Sequence, residues 1–328
     1  MSDHGNPAHA APLSPLAGAA CGLAAAVLYT ATNVALKASS GSDPVLVSAV
    51  KAWPTVLVCG PLLAAMSLRG QRIATSWQSF PQLILGGLSG QLIGSLGFQF
   101  ALGHIGLALA VPLNLGALII GSAVLGHWLL GEPVTRRTVL AILILIAAAV
   151  VLSLGSDQAA VRQGASSSGV ALGVLATCAS GVGYAFFGVT MRKSLRRGLT
   201  VPLAMLTSGT TGSILLSLFA AQRLPASELA AVSLEQWLVM TLAGLFNVLA
   251  FFLISLALRA IPVVAVNLIN ASQAAMAAAA GVLLFGEEVT VPLGLGLLLT
   301  VTGLVVLGTG RRNPRPNPEL KLRPLANR

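Results

Sequence analysis

The hexapeptide Leu130-Gly131-Glu132-Pro133-Val134-Thr135 returns later in the chain as Phe285-Gly286-Glu287-Glu288-Val289-Thr290. The offset, 286 − 131 = 155 residues, also aligns Gly18 with Gly173, Tyr29 with Tyr184, Lys37 with Arg192, and Val150-Val151-Leu152 with Val305-Val306-Leu307. Matches at one offset across nearly half the chain do not arise from biased composition, so the chain reads as two copies of one unit. Each hexapeptide closes one long apolar run and opens the next.

The apolar runs set the solvent. Runs of 20 or more residues recur throughout, each long enough to cross a hydrocarbon core ~30 Å thick. Only 9% of the residues are charged and 55% are hydrophobic, whereas a soluble domain carries about 25% charged residues. The fold class is therefore an all-α polytopic membrane protein. The net charge of +10 does not imply a nucleic-acid partner, because the basic residues fall in short gaps between apolar runs, as the positive-inside rule requires. Cys21, Cys59 and Cys178 lie inside predicted spans without metal spacing and read as small core residues. No basic segment precedes the first apolar run, so we expect a retained span and no cleaved signal peptide.

Ten transmembrane helices are expected, at roughly 16–37, 44–68, 81–103, 107–131, 137–155, 168–191, 200–222, 235–258, 262–285 and 290–309. Pro44, Pro81, Pro202, Pro262 and Pro292 stand at or near first turns, where a missing N–H costs nothing. Pro54, Pro61 and Pro112 lie deeper and predict kinks. Gly86, Gly90 and Gly94 repeat every four residues, a small-residue stripe that lets a second backbone approach closely, for packing or for sliding. With both termini cytoplasmic, fifteen Lys and Arg fall on the inside against three outside, Lys37, Arg162 and Arg223, which sets the orientation. Five helices per copy is an odd number, so the second copy enters the membrane inverted. Inverted repeats place a binding site near the midplane and give alternating access by rocking about it. The expected divisions are a polar tail 1–15, a first repeat 16–160, a second repeat 161–310 and a basic cytoplasmic tail 311–328. The last reads as a disordered end or as a contact for anionic headgroups.

Candidate site residues follow from the cost of polarity in lipid. Lys51 is the one formally charged residue well inside a predicted span, where a lysine costs roughly 2.5–3.5 kcal/mol on insertion scales. It either faces inward, as a contact for a substrate carboxylate or a gate that pairs with backbone carbonyls, or snorkels to the interface. Gln91, Ser95 and Gln99 are four apart and share one helix face; Asn267, Asn270 and Gln273 are three apart. Tyr29 with Asn33, its repeat counterpart Tyr184, and the single amides Asn114 and Asn247 complete the polar set. Such groups turn inward, to bond other helices or to line a polar cavity. Glu132 and Glu287 are expected at the bilayer edge in tight turns after Gly131 and Gly286, with Thr135 and Thr290 capping the following helices.

These junctions carry a resemblance. Two five-helix halves, each with a Gly-Glu turn between its fourth and fifth helices, resemble the EamA-type drug/metabolite transporter superfamily over about residues 16–310. The resemblance implies a ten-helix inverted-repeat bundle around a central cavity that moves amino acids, other small metabolites or drugs. Many relatives have an arginine near the outer part of the second helix, where this chain has Lys51, which lacks the planar guanidinium fork.

The expected function is a secondary transporter in the plasma membrane, of a bacterial inner-membrane kind, that exports a small metabolite. Alternatives are an importer or phosphosugar exchanger, which calls for more intramembrane cations, a lipid flippase and a scaffold. No catalytic motif, metal set or cofactor is expected: the chain has no HExxH, no GxSxG and no mid-membrane acid pair. All nine acidic residues fall in loops, junctions or tails, and His127 is the remaining intramembrane group that titrates near neutrality. Uniport or exchange, or proton entry by a route other than a central carboxylate, is therefore expected, with a small-molecule substrate and the lipid bilayer as partners; the sequence does not specify an oligomeric state.

Overall fold

The computed structural model describes residues 14–71, 73–74, 77–78, 80–131, 136–162, 167–260 and 263–308. The elements are α1 (Pro15–Ala38), α2 (Pro44–Leu68), α3 (Phe80–Leu88), a π-helical segment (Ser89–Ser95), α4 (Leu96–Ile105), α5 (Leu107–Leu130), α6 (Arg136–Arg162), α7 (Ser167–Arg196), α8 (Val201–Arg223), α9 (Ala226–Ala231), α10 (Leu234–Ala260), α11 (Val263–Phe285) and α12 (Val291–Gly308). The rod Phe80–Ile105 contains α3, the π segment and α4 in one apolar helix. Among the described residues, β pairing is limited to an isolated bridge between Ala74 and Leu199.

Seven helices among the described residues are long and apolar enough to cross a bilayer. Three further apolar stretches, Val139–Leu152, Ser272–Phe285 and Val291–Gly303, are shorter. Large apolar side chains such as Leu57, Leu143, Leu175, Leu218 and Leu298 stand exposed around the bundle, which in water would be an aggregation liability and in lipid is the expected exterior. The chain is a multi-pass membrane protein.

Local chemistry fixes the helix ends. Asp43 accepts from the N–H groups of Val45 (2.8 Å) and Leu46 (3.2 Å), just ahead of Pro44 at the first turn of α2. Ser233 and Gln236 satisfy each other's backbone N–H groups at the start of α10 (3.2 and 3.0 Å), a capping box. Thr290 accepts from the Leu293 N–H at 3.2 Å and caps α12. Gly131 (φ 66°) and Gly286 (φ 64°) end α5 and α11 in the left-handed conformation, which explains the glycine of the repeated hexapeptide. Pro54 and Pro61 lie within a continuous α2, and Pro112 within a continuous α5. Two features go beyond the sequence expectation: the π segment and the short α9 in the connection from α8 to α10.

The glycine stripe docks α7. A Cβ on Gly94 would lie 2.8 Å from the Tyr184 ring and one on Gly90 3.1 Å from Phe187, while Gly86 faces Thr190. Elsewhere α1 packs on α10 and α11, α5 on α7, α2 on α8 and α6 on α12. Arg223 at the end of α8 pairs with Asp43 before α2 at 3.7 Å, whereas the Thr200 N–H before α8 donates to the Ile73 carbonyl beyond α2 (3.1 Å). The α1–α2 and α7–α8 connections therefore sit at opposite ends of the bundle. The larger buried cluster, including Leu36, Val47, Phe98, Leu102, Leu107 and Met240, gathers at the end where α1 finishes. A smaller one, around Cys59, Leu83, Met191 and Leu203, lies toward the other.

Candidate functional site

Between the two clusters lies a cavity of about 340 Å³. It receives Tyr29 and Asn33 from α1, Lys51 from α2, Gln91 from the π segment, Asn114 from α5, Tyr184 from α7, Asn247 from α10, and Asn270 and Gln273 from α11. With Ser95, also from the π segment, ten of the polar residues singled out in the sequence share one wall system. Tyr29 and Tyr184, one repeat apart, face the same space. Gln99 does not line it: its Nε2 donates to the Leu36 carbonyl at 3.0 Å and ties α4 to α1. The Asn267 side chain, Glu132 and Thr135 lie outside the described residues.

Lys51 is 8% exposed, and no Asp or Glu lines the cavity among the described residues. The ammonium is the formal charge of the site, set among amides, hydroxyls and aromatic rings, and in so low a dielectric it attracts an anion far more strongly than in water. The Gln91 Oε1 and Ser95 Oγ atoms are buried without a hydrogen-bond partner among the described residues. Leaving such groups unmet costs about 1–3 kcal/mol each, so both favour a polar solute or water. Both stand on the π segment, whose wide turns re-aim side chains and are often found at functional sites.

Other polar groups hold the walls. Asn114 Nδ2 donates to Ser180 Oγ (2.8 Å), and that hydroxyl donates to the Gly94 carbonyl (2.6 Å), linking α5, α7 and the π segment. Gln273 Nε2 donates to Asn270 Oδ1 one turn away on α11. The apolar lining from Phe187, Gly188 and Met191 was not singled out in the sequence, although with Tyr184 these residues follow the i, i+3, i+4, i+7 spacing of one helix face. A second cavity, about 470 Å³, lies where α2, α4, α7 and α8 meet. It is apolar apart from the Asp43–Arg223 pair, whose charges already satisfy each other.

Glu287 stands in the turn after Gly286, and its side chain reaches a neighbouring helix, a partner the sequence did not indicate. Its carboxylate accepts from the N–H groups of Leu107 (2.6 Å) and Ala108 (2.7 Å), the first turn of α5. Lys37 Nζ lies 3.9 Å from Glu287 Oε1 and donates to the Leu102 carbonyl at 3.0 Å. Gly106 (φ 75°) leaves the space: a Cβ there would lie 2.5 Å from that oxygen.

Fifteen solved chains match this one in structure. One, titled only "Crystal structure of protein", covers 88% of this chain and 95% of its own at TM-score 0.59 and 19% identity, a likeness of fold. No curated protein matches the chain. Residues 171–309, which run from α7 to the end of α12, match the model of the EamA-like transporter family. On a multi-pass helical bundle, that match makes the second half of the chain similar to EamA-like transporters, which is consistent with a transporter of the drug/metabolite transporter superfamily.

Proposed function

We propose that the chain exports a small metabolite carrying a carboxylate, by alternating access through the cavity around Lys51. The observation that carries this reading is a buried ammonium among neutral polar groups, with no acidic side chain in the described lining. A lysine in that setting is retained where it meets an anion. The aromatic and aliphatic walls accept an apolar body, and the amides fix its orientation. The same absence of lining carboxylates favours uniport or exchange over coupling through a central acid.

Alternating access rests on ten spans arranged as two inverted repeats, and the packing supports that arrangement. Shifting by 155 residues turns α2 into α8 and α6 into α12, and each packs on its own counterpart. The α1–α11 pairing is matched by α7–α5, and α1–α10 by α7 on the α3–α4 rod. The α1–α2 connection and its counterpart between α7 and α8 lie at opposite ends. The excess of Lys and Arg in the segments on one side supports cytoplasmic termini.

Substituting Lys51 tests the reading. Lys51→Met keeps the stem and removes the charge, and should lower efflux of a carboxylate-bearing substrate from proteoliposomes by about tenfold or more, the size of one lost charge contact. Lys51→Arg should retain part of it. Unchanged efflux in a well-expressed Lys51→Met protein would remove Lys51 from the site. A screen of supplied amino acids, dipeptides and toxic analogues tolerated on overexpression supplies the substrate.

A further inference from the structure

The Glu287 carboxylate joins four helices at one point. Gly286 turns the chain at the end of α11, and the Glu287 N–H donates to the Gly281 carbonyl (3.0 Å), which folds residue 287 back along its own helix. From there the carboxylate occupies the first turn of α5, taking two of the donors that a helix start leaves unmet, at the positive end of the helix dipole. Lys37 adds the end of α1 and, through the Leu102 carbonyl, α4. Gly281 contributes as Gly106 does: a Cβ there would lie 3.0 Å from the Glu287 carboxyl carbon.

These four helices are also walls of the cavity. Leu36 adjoins Lys37 on α1, Val111 lies one turn beyond Leu107 on α5, Phe98 stands on α4, and Gln273 lies two turns before Gly281 on α11; all four line it. The larger buried cluster fills the space between them and the carboxylate. A solute entering or leaving by this end must part α5 from α11 and α1, which means withdrawing Glu287 from the α5 amides.

We infer that Glu287, seated on the α5 N-terminus and paired with Lys37, is the latch of the gate at this end of the cavity. It is made in the state shown, closed at the Lys37 end, and broken once per cycle. The inference rests on the alternating-access reading and adds to it the contact that opposes opening. It makes Glu287 a positioning residue: it touches no substrate and sets which side the cavity faces.

Accessibility labelling tests it. In a full-length chain with its three cysteines replaced, Thr55→Cys reports on the cavity and Gly41→Cys, in the exposed α1–α2 connection, identifies the Lys37 side. Vesicles of each orientation are treated with a membrane-impermeant maleimide. Glu287→Gln keeps the shape, but its amide oxygen serves only one α5 N–H while its NH₂ opposes the other. We expect it to raise Thr55→Cys labelling from the Gly41 side by about tenfold and to lower it from the opposite side, with Lys37→Met shifting both rates the same way by less. Unchanged labelling from both sides in Glu287→Gln, with only the melting temperature lowered, would make the carboxylate a fixed cap and overturn the latch while leaving alternating access intact. Labelling of Thr55→Cys from neither side in any variant would instead remove the cavity reading. If Glu287→Gln fails to assemble, the Lys37→Met rates alone decide, an unshifted ratio counting against the latch.

Discussion

At the scale of single residues, the same amino acid serves unlike ends. Gly286 sits at φ 64°, where a side chain costs roughly 1–2 kcal/mol. Gly294, on the exposed face of α12, has nothing near where its Cβ would stand, so an alanine there relieves only the flexibility of the unfolded chain, worth about 0.5–1 kcal/mol. Gly286→Ala should therefore lower the melting temperature in detergent, and Gly294→Ala should leave it unchanged or raise it. The sequence made both glycines visible but distinguished only the one inside the repeated hexapeptide. Lys51 was legible because a lone charge in an apolar run demands an explanation. Glu287 was legible as a conserved register between two copies, not as a partner of Leu107 and Lys37. That pairing joins residues 180 and 250 positions apart, and only packing brings them together.

At the scale of elements, helix positions followed from apolar runs and their caps, while departures from regular geometry did not. Nothing in Ser89-Gly90-Gln91-Leu92-Ile93-Gly94-Ser95 announces wide turns, because a π segment depends on what the flanking faces must meet. Here α3 and the π segment present glycines to α7 while Gln91 and Ser95 face the cavity. A π segment behaves as an inserted residue within an α-helix. Deleting Leu92 should return the stretch to regular α-helix, with helical content by circular dichroism retained. With the extra residue gone, α3 and α4 keep roughly their present relative rotation while Gln91 and Ser95 are re-aimed, and efflux should be abolished. Retained efflux would show that the wide turns have no part in placing Gln91. The amide stripes were readable as inward-facing, but which amides line the cavity and which bond neighbouring helices was not. Gln91 and Gln99 are two turns apart on one stripe, and only Gln99 spends its amide on the α1 backbone.

At the scale of the whole molecule, the 155-residue offset and the helix pairings are independent lines of support for the proposed two-fold relation. Reporter fusions in the connections check it: one at Gly41 and one at Gly198 should read opposite sides of the membrane, with the amino terminus on the Gly198 side. Agreement between Gly41 and Gly198 would end the inverted arrangement. The pairings also bear on how the chain is made. The main partners of α1, α2 and α6 are α10, α8 and α12, all encoded in the later half. A ribosome that has delivered only the first repeat has thus inserted helices whose mates are not yet synthesised, and their seams face lipid or the insertion machinery until translation nears its end. Quality control would meet a truncated product as an orphan, whereas two halves made as separate polypeptides would carry every seam they need to find each other.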